Sequence, residues 1–202
     1  MTQSYLEIAN QIHSQADAVL QRLKLSSLIE MLGELYFTGS YALNLMTWND
    51  IDMQIMVKKE LTPQKALMQI MDLFVNQKGL VKAQIINFNY DYKPHWPRGM
   101  CLSTQINFPD LGGIWKFDIW SLQEDDLRKN QLLLGQLQDR MSEGAKKLIL
   151  EIKHELMQQS GRVPKMGSHW LYQGVLLHGL VEKKAILNFL KERGVEIQGA
   201  EG

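Results

Sequence analysis

Two aspartates and a Gly-Ser pair, separated by nine residues, are the part of this sequence best suited to chemistry. Gly39 and Ser40 end one apolar run, and Asp50-Ile51-Asp52 opens the next. Because side chains alternate along a strand, Asp50 and Asp52 point to the same face, with carboxyl groups roughly 6–7 Å apart. Like charges at that separation repel each other, and a divalent cation between them relieves the repulsion. The aspartate pair therefore indicates a metal site.

A third aspartate lies in a later strand-like run, Ile114–Trp120. On that strand Lys116, Asp118 and Trp120 share one face, and apolar residues share the other. Strands are poor in aspartate, so Asp118 is an unusual residue there and a candidate for a functional role. Lys116 is a candidate for binding phosphate, and the alternative is an ion pair with one of the aspartates.

The whole pattern resembles the signature of the DNA polymerase β-like nucleotidyltransferase superfamily. That signature is an apolar residue, Gly, then Gly or Ser, a spacer of about ten residues, and acidic-apolar-acidic-apolar. Here it is written as Thr38–Ser40 and Asp50–Met53, with a mild departure because Thr38 is not apolar. Asp118 stands where the superfamily places its third carboxylate. The segments around Trp48, Pro97–Met100 and Trp115–Trp120 are similar to small bacterial members without an assigned substrate, a weaker likeness than the core pattern.

The resemblance implies an enzyme that transfers a nucleoside monophosphate from a nucleoside triphosphate, ATP being one candidate, to a hydroxyl group. Asp50, Asp52 and Asp118 would be its catalytic residues and the ligands of two Mg²⁺ ions. Asp118 would also take the proton of the acceptor hydroxyl. Gly39 and Ser40 would bind the β- and γ-phosphates through backbone N–H groups and the serine hydroxyl, with Lys116 as a further phosphate contact.

The acceptor stays open at this stage. It can be a small molecule, as in antibiotic-modifying members of the superfamily, or a protein side chain or RNA 3′ end, as in toxin-like members. The chain has 22 Lys plus Arg and 22 Asp plus Glu, which argues against affinity for extended nucleic acid and favours a small-molecule or protein acceptor. The competing hypothesis is a catalytically silent module of the same fold, an antitoxin or regulatory partner. It ranks second because all three carboxylates are present.

Several further residues are weaker candidates for substrate contacts. Lys93 and Arg98, in a connection punctuated by proline, could contact the triphosphate or acceptor, although solvated loop charges are the default. Trp48 could flank the base, but packing is favoured. A possible acceptor pocket at the junction with the C-terminal helices would be lined by Lys165, His169, Tyr172 and Gln173, with packing or exposure as the alternative for each.

Periodicity predicts an α+β fold, with a mixed sheet flanked by helices, to position these side chains. Residues 1–121 are expected to form the catalytic core with its N-terminal helices, and residues 122–202 a helical C-terminal domain. The predicted helices are 3–23, 26–32, 41–45, 63–77, a helix from a capping box at 121–124 to 141, then 143–159, 168–179 and 182–193. The predicted strands are 35–37, 50–57 and an antiparallel meander of 80–92, 100–108 and 114–120.

Composition sets the protein class. With 202 residues, 45% apolar and 22% charged, the chain resembles an ordinary globular protein. Its single cysteine, Cys101, cannot form an internal disulfide, which indicates a reducing compartment. No apolar run approaches the roughly 18–20 residues of a membrane span, and the N-terminus lacks the pattern of a signal peptide. We therefore expect a cytoplasmic protein.

Overall fold

A mixed sheet of five strands lies at the centre of the structure. The computed structural model describes residues 3–90, 97–161, 164 and 166–197. The strands, in chain order, are β1 (Gly33–Thr38), β2 (Asp50–Val57), β3 (Leu80–Asn87), β4 (Gly99–Phe108) and β5 (Gly113–Leu122). They are arranged in the sheet as β1-β2-β5-β4-β3, so the last strand of the chain lies in the middle.

The pairing of β5 decides which side chains meet. Strands β3, β4 and β5 form the predicted antiparallel meander, and β1 is antiparallel to β2. Strand β2 pairs with β5 in parallel, which places Asp50 beside Lys116 and Asp52 beside Asp118. Neighbouring strands are about 4.8 Å apart, and paired residues point to the same face. The carboxylates from the two strands therefore lie side by side.

Eight α-helices surround the sheet in the part of the chain that the structure describes. They are α1 (Tyr5–Leu23), α2 (Leu25–Leu32), α3 (Gly39–Ala42), α4 (Pro63–Val75), α5 (Glu124–Asp139), α6 (Glu143–Ser160), α7 (Gly167–Tyr172) and α8 (Lys183–Glu192). A 3₁₀ turn (Pro109–Leu111) links β4 to β5, and a π-helical turn (Gln173–Leu177) continues α7.

The two faces of the sheet have opposite characters. Ile51, Met53 and Ile55 from β2 are fully buried, as are Trp115 and Phe117 from β5. They form the main core with α1, α2 and α4, because alternation puts every second residue on that face. The opposite face carries the polar residues of the same strands. Helix α5 approaches it, and Gln131 Nε2 donates a hydrogen bond to Gln54 Oε1 over 3.2 Å.

A second apolar cluster lies among the C-terminal helices. It contains residues of α5, α6, α7 and α8, together with Ala9 of α1 and Leu43 and Leu45 from the loop before β2. The helices after β5 therefore pack directly on the segment that leads into Asp50. The division into domains at residues 121 and 122 stays a prediction.

The predicted α+β fold class is confirmed, with local differences at the ends of elements. The predicted capping box at 121–124 is wrong, because Ser121 is a buried residue of β5 and α5 begins at Glu124 with Gln123 as its N-cap. The capping box lies instead at Ser4 and Glu7, before α1. Helix α3 begins at Gly39 rather than at residue 41. Strand β3 ends at Asn87; residues 91 and 92 of the predicted strand lie outside the described residues. Within the described ranges, no helix combines the length and apolarity needed to cross a bilayer.

Candidate active site

Lys116 links two of the predicted catalytic aspartates. Its Nζ atom lies 2.7 Å from Asp118 Oδ2 and 3.2 Å from Asp50 Oδ1. The contact with Asp50 joins residues of adjacent parallel strands, and the contact with Asp118 joins alternate residues of β5. Of the two roles considered for Lys116, the structure shows the ion pair with aspartates.

Burial and charge shape the protonation of the site. Burial raises the pKa of Asp52 well above its ordinary value, and the negative charges of Asp50 and Asp118 raise it further. Burial also raises the pKa of Asp50, although the nearby Lys116 ammonium opposes this. For Lys116, burial alone would lower the pKa, but the charges of Asp50 and Asp118 outweigh it and the pKa is raised. The site thus concentrates negative charge that one ammonium only partly neutralises.

Gly39 allows the backbone to approach Asp52 closely. It has φ +61°, and a Cβ atom at this position would lie 2.5 Å from Asp52 Oδ2. A larger residue would therefore be strained and would displace the carboxylate. Gly39 and Ser40 open α3, where the first N–H groups of a helix have no partner within the helix. The Gly-Ser pair and the Asp-x-Asp strand, predicted to act together, are in contact.

The carboxylates have the donor chemistry of a magnesium site, since Mg²⁺ prefers hard oxygen ligands. Asp118 Oδ1 is buried and has no hydrogen-bond partner, so one oxygen at the centre of the cluster is left for a further cation. Within the described ranges, however, no three acidic, histidine or cysteine side chains converge on a point that would hold a metal ion. Lys116 Nζ contacts one oxygen of Asp50 and one of Asp118. The remaining oxygens of the three aspartates are the donors that could hold the ion.

A cavity of about 260 Å³ opens beside Gly39 and Ser40. We call it the inner cavity. Asp52 lies in its wall from the sheet, and α5 and α7 close it from the other side. Its lining is Thr38, Gly39, Ser40, Leu43, Asp52, Gln54, Asn130, Leu133, Leu134, Leu137, Ser168, His169 and Tyr172. An apolar pocket with a few converging polar groups is typical of a small-molecule site.

A wider cleft of about 780 Å³ lies beyond the carboxylates and shares one wall with the inner cavity. We call it the outer cleft. It reaches Asp118 and extends over Trp120 and Arg98 to α5. Its lining is Thr38, Asp52, Gln54, Pro97, Arg98, Asp118, Trp120, Asp126, Lys129, Asn130, Met166 and His169. Asp52 lies in the wall of both spaces, which suits a group that acts between two substrates.

Sequence patterns did not identify Lys153, a buried lysine of α6 behind the site. Its side chain is 1% exposed, and Nζ donates to the Leu45 carbonyl oxygen at 2.6 Å and to Tyr172 Oη at 3.0 Å. Burial lowers the pKa of Lys153 to about 7, although the charges of Asp50 and Asp52 oppose this. The available signal was a charged residue on the apolar stripe of α6, between Ile149 and Leu156. Lys153 ties the loop before β2 to a wall of the inner cavity.

The weaker sequence candidates have different outcomes. His169 and Tyr172 line the inner cavity, and Arg98 lines the outer cleft. Gln173 Nε2 lies 2.7 Å from His169 Nε2, beside the cavity wall. Trp48 packs against the second apolar cluster, and its ring lies 5.3 Å from Lys153 Nζ. Lys93 and Lys165 lie outside the described residues.

Comparison with solved structures identifies the fold. The chain matches the Cid1 poly(U) polymerase with bound MgGTP at a TM-score of 0.54 and 15% identity, covering 82% of this chain and 48% of that one. It matches the GLD-2–GLD-3 non-canonical poly(A) polymerase complex at 0.53 and 16%, covering 100% and 70%. It matches the STING-associated CdnE c-di-GMP synthase of Capnocytophaga granulosa at 0.52 and 14%, covering 93% and 71%.

The chain thus spans about half the length of the Cid1 structure. No protein-family model and no curated protein matches the sequence. At these identities the likeness concerns the fold, and it agrees with the Gly-Ser and Asp-x-Asp pattern that the sequence carries. This protein has the fold of the DNA polymerase β-like nucleotidyltransferases.

Proposed function

We propose that this protein is a metal-dependent nucleotidyltransferase that moves a nucleoside monophosphate from a nucleoside triphosphate to an acceptor hydroxyl. The observation that carries the proposal is the parallel register of β2 and β5. It brings Asp50, Asp52 and Asp118 to one face of the sheet, beside a cavity that begins at Gly39 and Ser40. Mg²⁺ bound to these carboxylates would neutralise phosphate charge and activate the attacking hydroxyl.

The chain's own residues would divide the work between the two spaces. The backbone N–H groups at Gly39 and Ser40 would hold the phosphates at the mouth of the inner cavity, because the start of a helix favours anions. The apolar side of that cavity, with Tyr172, would exclude water from the nucleoside. Asp118, which lines the outer cleft, would accept the proton of the acceptor hydroxyl.

The outer cleft supports a small-molecule acceptor. Its volume of about 780 Å³ falls within the range of roughly 300–1,000 Å³ that is usual for small-molecule sites. Its wall carries charges of both signs, including the ion pair of Lys129 and Asp126 at 3.6 Å. A long nucleic acid would favour a strongly basic protein, and the zero net charge of the chain argues against that class of acceptor. A hydroxyl on a protein side chain is the second acceptor class.

Transfer can be tested without knowing the acceptor. The protein is incubated with Mg²⁺ and each α-³²P-labelled nucleoside triphosphate, alone and with pools of hydroxyl-bearing metabolites or with cell protein. Label appearing in an acceptor, with release of pyrophosphate, supports the proposal if Asp50→Asn and Asp118→Asn remove it. Wild-type protein that binds no triphosphate and releases no pyrophosphate with any pool contradicts it.

A catalytically silent binding module is the competing function, and one observation favours it. Lys116 already pairs with Asp50 and Asp118, as a structural ion pair would. The two functions differ in their response to metal, since a silent module has no reason to bind Mg²⁺ or Mn²⁺ at these aspartates. A nucleotide that binds equally well with and without metal, and is never cleaved, would favour the silent module.

A further inference from the structure

The ammonium of Lys116 lies between carboxylates that come from two different strands. Its contacts of 2.7 Å to Asp118 and 3.2 Å to Asp50 are the distances of charge-assisted hydrogen bonds. The lysine is not held rigidly by burial, since its side chain is 36% exposed while those of Asp50 and Asp118 are 13% and 20% exposed. The lysine side chain therefore has access to solvent, whereas the carboxylates are largely buried.

The same contacts compete with a metal ion for one oxygen of Asp50 and one of Asp118. Asp118 offers one oxygen to Lys116 and keeps the other buried without a partner. In the described part of the chain no three metal-binding side chains converge, although Asp52 is paired with Asp118 across two strands and Asp50 is two residues from Asp52. A metal ion held by all three carboxylates would lie beside the ammonium, and two cations at one place repel each other.

We propose that Lys116 is a positioning residue that acts as a resident cation: it holds Asp50 and Asp118 in the metal-free protein and must be displaced when a divalent ion binds. This inference rests on the proposed metal-dependent function. In the metal-free protein the Lys116 ammonium offsets the repulsion between the carboxylates, and it also keeps the affinity for a metal ion alone low. A triphosphate offers the displaced ammonium new oxygen partners, so metal and nucleotide favour each other's binding.

The test measures binding of Mn²⁺ alone to the metal-free protein, from the electron paramagnetic resonance signal of the free ion. We expect Lys116→Met to bind Mn²⁺ at least ten-fold more tightly than wild type. Lys116→Gln, which keeps the side chain polar and removes the charge, should show the same gain in Mn²⁺ affinity. Lys116→Arg keeps a cation between the aspartates, and its affinity should not exceed that of wild type.

A matched control separates direct displacement from a general effect of charge. Lys129 lies in the wall of the outer cleft, and it forms an ion pair with Asp126. Lys129→Met removes one positive charge from the same cleft and should change Mn²⁺ affinity by less than two-fold. Thermal unfolding with and without Mn²⁺ gives a second readout, because a tighter ion raises the melting temperature more.

The outcomes distinguish this inference from the function on which it rests. If wild type and both charge-removing Lys116 variants bind Mn²⁺ equally, and Asp118→Asn loses the ion, the inference is wrong and the metal site stands. An equal gain in Lys129→Met and Lys116→Met also overturns the displacement. If Mn²⁺ binds to none of these proteins, with or without a triphosphate, the proposed function itself fails.

Discussion

Replacing Lys153 by methionine should change how stability depends on pH. The side chain is 1% exposed, and its pKa falls from 10.5 to about 7 because burial disfavours the charged form. Below pH 7 the lysine is charged in both the folded and unfolded chains, and the burial cost is fully present. Between pH 7 and 10.5 the unfolded chain carries a proton that the folded chain lacks, so stability rises with pH.

The size of the effect follows from this difference in proton binding. Each pH unit in that interval adds about 1.4 kcal/mol to the free energy of unfolding for one proton. From pH 7 to pH 9.5 the wild type should therefore gain on the order of 3 kcal/mol relative to Lys153→Met. The loss of the hydrogen bonds to Leu45 and Tyr172 shifts the variant by a similar amount at every pH, and so leaves the slope unchanged.

Urea unfolding of both proteins at half-unit steps from pH 6 to pH 9.5 measures this difference. Titrating groups that do not interact with Lys153 cancel when the variant is subtracted from wild type, whereas Asp50, Asp52 and His154 interact with it and remain in the difference. Lys147→Met is the matched control, because Lys147 is an exposed lysine of the same helix, and its curve should run parallel to wild type. If the curves of wild type and Lys153→Met are also parallel, Lys153 is not the buried, largely desolvated ammonium described above, and the reasoning fails.

Two other substitutions test the neighbourhood of Asp52. Gly39→Ala places a Cβ atom 2.5 Å from Asp52 Oδ2 at φ +61°, so it should weaken binding of Mn²⁺ with a triphosphate at least ten-fold. The control is Gly161→Ala, with φ +72° and no atom within 4 Å, which should cost about 1–2 kcal/mol of stability and leave binding intact. Equal binding by the two variants would contradict the contact between Gly39 and Asp52. Asp52→Asn should raise the free energy of unfolding at pH 7, because the raised pKa of Asp52 makes its charged form costly in the folded chain. That gain should shrink as pH falls and should vanish well below the unfolded pKa of 3.8, where the carboxyl is protonated in both states. A gain independent of pH would point to another cause.

Local patterns in the sequence were sufficient for the strands of the site. Alternation along Asp50–Val57 and Ile114–Trp120 predicts correctly the buried face formed by Ile51, Met53, Ile55, Trp115, Phe117 and Ile119, because the period of a strand is two. Gln54, on the opposite face, is buried as well, and Val57 is only half-buried. The Gly-Ser pair with the Asp-x-Asp strand predicted the fold that the comparisons show. The catalytic and metal-binding roles of Asp50, Asp52 and Asp118 remain proposals.

Long-range pairing was the part that the residues alone did not provide. The contact between Asp50 and Lys116 joins residues 66 positions apart, and it depends on the parallel register of β2 and β5. Lys153 and the Leu45 carbonyl are 108 positions apart. A lysine on an apolar helix stripe can be recognised as unusual from the sequence, but one of its two partners is a backbone oxygen that carries no residue-type signal. The sequence likewise could not decide whether Lys116 pairs with an aspartate or binds phosphate, and the distances from its Nζ atom to Asp50 and Asp118 were needed to show the ion pair.

The most direct test of the proposed function is a crystal structure with Mn²⁺ and a non-hydrolysable nucleoside triphosphate, with anomalous scattering recorded for the metal. We expect anomalous peaks in contact with Asp50, Asp52 and Asp118, the phosphates at Gly39 and Ser40, and the nucleoside in the inner cavity. Lys116 Nζ should have left Asp50 and Asp118 for a phosphate oxygen. Triphosphate bound without any anomalous peak at the three aspartates, and with Lys116 still between them, would contradict metal-dependent nucleotidyl transfer at this site.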